Sequence, residues 1–427
     1  MTSDAASNSA DSAGNPAGAE LSADAELSAD AVVVGGGTIG GWCAWFLRRA
    51  GLERVILLER GVLGSGASSR AAGMVRGQGG TPAAVVLGSW TRDFYRGQSA
   101  EIGIDSGFLE QGYYLPAFTE NQVSEAKTRM AMQQRLGLDV EWLDAAEAER
   151  RNPTLAPGST LGGTFAAADG YLDPPRNVLA YAVALARSGV EVRERTTFKG
   201  LERDDTTGAV TGVRTSAGRI RTSTVVLTGG PTLAEVGRLA GIRIPAGDVM
   251  HQVAVTEPHP DLAPERLPMV FDVAGGIYWR PEDGGLLFGM SNPDEPPGPA
   301  RRLDLAYLEQ VRERLAELVP VTRGLGLRRA WAATIDYTPD HLPIIGPAID
   351  SAGPMDGVTV ASAAGHGMMW GPAVSRAAAD IALTGTTSMF DSAGIDLADF
   401  SLTRFDEHGR SRLAADPIAL PFPERTS

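Results

Sequence analysis

Ala31-Val-Val-Val-Gly-Gly-Gly-Thr-Ile-Gly40, AVVVGGGTIG, is a short apolar run that stops at three glycines and passes into the apolar stretch Trp42 to Leu47. Gly51 follows that stretch, and a second run, VILLE, ends at Glu59. The pattern spells strand, tight turn, helix, strand. Its glycines have separate tasks. Gly35 permits the turn, Gly37 lets the backbone approach a pyrophosphate, and Gly40 lets the helix pack closely. With Thr38 and Ile39 they bring the first amide donors of the helix, and its partial positive charge, to a phosphate. Glu59, 19 residues after Gly40, stands where a carboxylate accepts hydrogen bonds from a ribose diol, and an acid there disfavours a 2'-phosphate. The motif points to a dinucleotide other than NADP and does not by itself separate FAD from NAD.

The rest of the composition narrows the class. A chain of 427 residues is long enough for a large core and predicts two or three domains. Its 52 acidic against 38 basic residues give a net charge of -14, which repels nucleic-acid backbones and anionic lipid surfaces. No apolar run reaches the roughly eighteen residues of a membrane-spanning helix. The single cysteine, Cys43, cannot make an internal disulfide, so a reducing, cytoplasmic setting is expected. The five histidines show no metal-ligand spacing, and no serine elbow motif is present. No metal, nucleic-acid or membrane partner is expected.

Residues 1–29 are Ala, Ser, Asp and Asn with a repeated LSAD. So few large apolar groups cannot offset the entropy of ordering, and the stretch reads as a disordered leader. Further on, YLDPPRNVLAYAVALARSGVEVRE predicts a helix entered through Pro174 and Pro175 and leading to a strand. GAVTGVRTSAGRIRTSTVVLTGG predicts a hairpin and a buried strand. Between about 245 and 300, HQVAVTEP, GIYWRPE and GGLLFGM read as strands of an antiparallel sheet. PIIG, GVTVASAAGHG and PAVSRAAADIALTG spell strand, glycine turn and helix again. Pro372 is expected to begin that last helix and Gly385 to follow its end. Gly365 and Gly367 leave room for a planar ligand, at which the helix N-terminus would stabilise developing negative charge.

Together with the first motif, GSGASSRAAGMVR at 64–76, VVLTGG ending at Gly229 and Gly230, TPDHLPIIG at 338–346, AAGHGMMWGPA at 363–373 and the closing DLADFSLTRF resemble the FAD-dependent D-amino-acid oxidase and sarcosine oxidase superfamily. Within it, the dimethylglycine and sarcosine dehydrogenase-like members are the most similar. The resemblance runs from about residue 30 to residue 405. It implies an α/β (α+β) fold, with a Rossmann-like FAD-binding domain (30–110, 161–240 and 331–405) interleaved with an antiparallel-sheet substrate domain (111–160 and 241–330) before a tail at 406–427. It also implies FAD contacts from Arg60, Ser68, Ser69, Arg70, Ala72, Gly73, Met74, Phe198, Gly229, Gly230, Gly346, Gly365, His366, Gly367, Met368 and Met369, besides the residues of the first motif.

Departures from the family pattern are informative. Several relatives tether FAD through a cysteine at the position of Ala333 or a histidine in the segment after the first acidic residue, and residues 60–80 contain no histidine. Noncovalent FAD is expected. Two family lysines, one helping oxygen accept electrons and one gripping a substrate carboxylate, correspond to Leu287 and Met369. Slow reoxidation by oxygen, and an apolar wall of Met368, Met369 and Trp370 facing a bulkier or less acidic substrate than sarcosine, follow as expectations.

The catalytic candidates are Tyr278, His251, His366, Arg76 and Arg280. Tyr278 matches a tyrosine that faces the flavin in sarcosine oxidases, and an aromatic on a strand equally serves packing. His251 resembles a histidine of dimethylglycine dehydrogenase-like proteins, where a lone histidine is otherwise structural. His366, between two glycines, is placed near the isoalloxazine for hydrogen bonding or proton transfer. Arg76 and Arg280 are candidates to bind a carboxylate bidentately, with solvated arginine as the alternative. The expected reaction is oxidation of a secondary or tertiary amine to an imine, with electrons passing to oxygen or another acceptor. Oxidation of a 2-hydroxy acid or polyol, and a flavin-binding subunit of a heteromeric oxidase, are the alternatives.

Overall fold

Strand Ala31–Val34 lies inside a six-stranded sheet, flanked in parallel by Val55–Leu58 and Val225–Leu227. The computed structural model describes residues 27–262 and 267–418. Glu191–Arg193 extends the sheet in parallel on one side and Gly353–Ser362 on the other, and Ile344–Asp350 closes that second edge antiparallel. Both faces are covered, which is why the central strands are continuously apolar instead of alternating. Helix Thr38–Arg49 packs on one face with Pro174–Ser188 and Gly367–Thr384. It is apolar almost all round. Trp42, Cys43 and Leu47 are fully buried, and Trp42 meets Trp45, Phe94 and Tyr181 edge to face. Each such side chain contributes about 1.5–3 kcal/mol of burial.

The second sheet has eight strands and is antiparallel except where Met269–Asp272 runs parallel to Tyr113–Ala117. Its edge, Leu327–Tyr337, pairs along the whole of Gly247–Thr256, setting His251 opposite Ala333 and Asp248 opposite Asp336. The expected strands at 245–300 are present as Gly247–Thr256, Ile277–Glu282 and Gly285–Met290. The hairpin Val210–Thr215 with Gly218–Arg221 belongs to a separate three-stranded sheet that also contains Phe198–Arg203.

Several expected boundaries move. Strand Gly162–Ala166 pairs with Tyr113–Ala117 in the eight-stranded sheet, so the segment 161–240 does not belong wholly to the dinucleotide domain. The chain returns to the parallel sheet at Ile344 and not at 331, because pairing with Gly247–Thr256 holds it in the other sheet as far as Tyr337. Of the expected leader, residues 1–26 lie outside the described residues. Residues 27–29 are part of the fold, with the Ala29 amide donating to the Arg221 carbonyl at 2.9 Å and Leu27 packed on a core cluster. The expected tail also packs as far as residue 418, where Ile418 is 1% exposed, while 419–427 lie outside the described residues.

The last helix begins at Gly367, with His366 as N-cap, and Pro372 sits inside it. Proline at the sixth helical position gives up the hydrogen bond to the Met368 carbonyl and crowds that carbonyl, yet the turn before it is helical. Gly385 ends the helix in the left-handed conformation, φ 80°, as expected.

Candidate active site

The glycine turn is held open by its surroundings. Gly35 has φ +107°, and a Cβ there would lie 2.6 Å from Thr228 Oγ1. Thr228 fixes this register by donating its hydroxyl to the Val34 carbonyl at 2.6 Å. A Cβ on Gly40 would lie 1.8 Å from the Gly35 carbonyl oxygen. Both Glu59 oxygens accept backbone amides, from Gly36 at 2.7 Å and from Gly61 at 2.6 Å. The carboxylate therefore shapes the turn, and each oxygen keeps lone-pair capacity for a diol. Ser68 Oγ accepts from the Thr38 amide at 2.9 Å, and no side chain of the N-cap Gly37 covers the helix end.

This turn opens into a cavity of about 610 Å³, within the range of ligand sites. The cavity is lined by Val34–Gly40, Leu58–Arg60, Gly64–Ser68, Arg70–Met74, Thr228–Thr232, Ala332–Asp336 and Gly365–Met369, together with Phe198, Asp248 and His251. The glycine turn and the His366 loop thus face one space, although they are more than three hundred residues apart. Ser69 and Gly346, both expected to contact the cofactor, are not among its lining residues. Gly346 instead faces Ser401. Residues the sequence reading missed include Thr228, Asp248 and Asp336. Asp336 is buried, accepts from Ser362 Oγ at 2.7 Å, and is pushed up from the usual carboxylate range by burial. No local signal marked it, because its role comes from a strand running beside the His366 loop.

The catalytic candidates divide. His366 is 4% exposed and lines the cavity. Its Nδ1 lies 2.8 Å from the Ala364 carbonyl, which accepts only if Nδ1 carries the proton, so Nε2 presents a lone pair. That Nε2 has no hydrogen-bond partner, nor does Trp370 Nε1, whose ring stacks on the imidazole at 4.2 Å. Burial, reinforced by the Arg76 charge, lowers the His366 pKa to about 3. His251 also lines the cavity. Its Nδ1 meets Ser291 Oγ at 2.8 Å and its Nε2 meets the Tyr278 hydroxyl at 2.6 Å. Burial lowers its pKa to about 4 and raises that of Tyr278, so both are neutral near pH 7.

Tyr278, Arg76 and Arg280 do not line the cavity. Tyr278 reaches it only through His251. Arg280 is neutralised by Glu282 at 2.6 Å and donates Nε to the Ala72 carbonyl at 2.6 Å, which holds the Ala72 loop against the sheet. Its guanidinium is therefore committed to the protein. Arg76, 2% exposed, donates to the carbonyls of Gln78 and Ile418. Leu287 is buried in the apolar cluster around Tyr278 and also lies off the cavity. Asp340 of the TPD segment forms a buried pair with Arg404, its oxygens 2.7 and 3.0 Å from Nε and Nη2. This locks the C-terminal segment to the parallel sheet.

The donor set fits FAD. Glycines leave main-chain room at the open end of a helix, Arg60 and Arg70 flank that end as cations, and the buried, unpartnered Nε2 of His366 faces the same space, whereas Trp370, expected in the wall beside Met368 and Met369, is not among the lining residues. A parallel dinucleotide sheet and an antiparallel sheet meet at this cavity. The family model for FAD dependent oxidoreductase, DAO, matches residues 30–381, and the chain belongs to this family. It is 28% identical over 382 residues to 4-methylaminobutanoate oxidase (formaldehyde-forming) of Paenarthrobacter nicotinovorans, covering 87% of this chain and 45% of that enzyme, so it spans less than half that relative's length. It is 30% identical to glycine oxidase of Geobacillus kaustophilus (strain HTA426), covering 87% of this chain and 96% of that one. The crystal structure of L-proline dehydrogenase from P. horikoshii superposes with a TM-score of 0.82 at 25% identity, covering 91% of this chain and all of that one. Among the described residues no helix is long and apolar enough to cross a membrane.

Proposed function

We propose that the chain oxidises the CH–NH bond of a small amine or N-substituted amino acid, with noncovalently held FAD lying between the glycine turn and the His366 loop. The observation that carries this reading is the single cavity shared by those two segments. The relatives' names, which speak of a methylamino acid, glycine and proline, agree in the CH–NH bond. Bound FAD supplies the two-electron acceptor.

This chain's residues supply positioning, with the two lining histidines neutral near pH 7. A protonated amine has no lone pair to assist loss of its α-hydrogen with the bonding electrons, so the substrate must be bound as the free amine, its ammonium proton left to solvent. The His366 Nε2 lone pair, buried and free, accepts a hydrogen bond from such an N–H. His251, also in the cavity lining, is held in place by Tyr278 and Ser291. The N-terminus of Gly367–Thr384, uncapped by any side chain, lies against the cavity and favours negative charge there. Anaerobic mixing of the purified, FAD-loaded chain with N-methyl amino acids, cyclic amines, D-amino acids and 2-hydroxy acids tests the reading. Bleaching of the flavin absorbance by an amine is expected, and bleaching by hydroxy acids alone overturns it.

A further inference from the structure

One peptide group decides which nitrogen of His366 carries the proton. Nδ1 lies 2.8 Å from the Ala364 carbonyl oxygen, and that carbonyl shares its peptide unit with the Gly365 amide. In a planar trans peptide the C=O and N–H point in opposite directions, so whatever holds the Gly365 N–H aims the Ala364 carbonyl. The holder is Asp336, whose buried carboxylate accepts the Gly365 amide and, at 2.7 Å, the Ser362 hydroxyl. Ser362 Oγ in turn accepts the Ala364 amide at 3.1 Å. Both N–H groups of the turn are thereby tied to the strand Leu327–Tyr337, which carries Asp336. The turn needs such a tether. Ala364 has φ +48° and Gly365 φ +82°, and the left-handed conformation costs an alanine free energy that a glycine does not pay. Without a Cβ on Gly365 to oppose it, the peptide between them is also free to turn over.

We propose that Asp336 is a positioning residue for amine oxidation: by fixing the Ala364–Gly365 peptide, directly and through Ser362, it keeps the His366 proton on Nδ1 and the Nε2 lone pair in the cavity. The hold on the tautomer is independent of the amine-oxidation reading, and only the use of the lone pair rests on that reading. His366 is neutral near pH 7, so its two tautomers, not its charge, are the variable. They act in opposite senses on an amine. A bare Nε2 accepts the amine N–H and leaves the amine's own lone pair to assist loss of the α-hydrogen. A protonated Nε2 donates to that same lone pair and ties it up.

Ring-nitrogen NMR of the FAD-loaded full chain carrying isotope-labelled histidine reads the tautomer, with the His366 signals identified by their loss in His366→Gln. The wild type is expected to show Nδ1 protonated and Nε2 bare. Asp336→Leu, which removes both acceptor oxygens, and Ser362→Ala, which removes the relay, are expected to move the proton to Nε2 or to mix the tautomers. Asp336→Asn retains one acceptor oxygen and is expected to keep the wild-type ring pattern. Anaerobic flavin reduction by the best amine should slow about tenfold or more in Asp336→Leu and Ser362→Ala, with the amine Kd changed by less than about twofold. A protonated Nε2 in the wild type overturns the proposal, as do wild-type ring signals in Ser362→Ala, which decides alone if Asp336→Leu does not fold. A shifted tautomer with an unchanged reduction rate overturns it too. Ring signals that respond as expected in a protein that no amine bleaches leave the hold of Asp336 on His366 in place and sink the amine reading alone.

Discussion

The Nε2 of His251 lies 2.6 Å from the hydroxyl oxygen of Tyr278, with the two rings nearly parallel at 13°. Only the histidine reaches the cavity. A histidine whose ring nitrogens are both engaged by neutral hydroxyls is oriented, not poised for titration at physiological pH. His251→Ala should therefore lower kcat/KM for the best amine by about a hundredfold, and Tyr278→Phe, which keeps the ring and removes the hydroxyl, by about tenfold. Steady-state kinetics check both, and wild-type values in both variants would show the pair to be packing alone.

The same burial makes an acid-side stability prediction. For His251 and His366 the folded pKa, about 4 and about 3, lies below the ordinary histidine value of 6.5. Between these values the unfolded chain binds protons that the folded chain does not. Stability is thus lost as pH falls from about 6.5 towards 4, by about 1.4 kcal/mol per pH unit for each such group. Asp169 and Asp336, raised by burial, act in the opposite sense. The informative measurement is consequently the difference between wild type and His251→Gln, whose melting temperature should fall less steeply from pH 6.5 to 4.5. Parallel curves would refute it.

Gly40→Ala places a methyl group where the Gly35 carbonyl oxygen sits, since the added carbon would lie 1.8 Å away. The backbone must move at both ends of the turn. We expect a loss of about 2–4 kcal/mol in stability and a colourless protein after purification, read by thermal melting and by the FAD-to-protein absorbance ratio. Full FAD content would contradict the close approach.

Ala333 lines the cavity and has no group with which to bond a flavin, while Cys43 is buried off the cavity with its thiol pushed up by burial. Acid precipitation should leave all yellow colour in the supernatant. A yellow pellet would point to a covalent link.

Asp340 and Arg404 are 1% and 0% exposed in their side chains. Removing one partner leaves the other as a buried, uncompensated charge, so Asp340→Ala should cost about 3–5 kcal/mol. Denaturant unfolding of the holoenzyme measures this, and a cost below 1 kcal/mol would mean the pair is not held apart from water.

The parallel dinucleotide unit is legible along the chain, because each requirement there is local. A short buried strand, a turn that tolerates no Cβ and an apolar helix follow one another within thirty residues, and Gly35, Gly40 and Glu59 stand where that unit needs them. Tertiary structure decided the rest. Arg76 and Arg280 look alike as sequence, yet one is neutralised by Glu282 two residues away and the other meets Ile418, 342 residues distant. Pro372 resembled a helix start because proline favours that position, but the preceding turn was free to be helical and lies against the cavity. Asp336 and the free nitrogen of His366 acquired their character from strands and loops brought together across the chain. A side chain's charge state and partners depend on burial and on neighbours distant in sequence, and these exist only once the two sheets have closed around a common space.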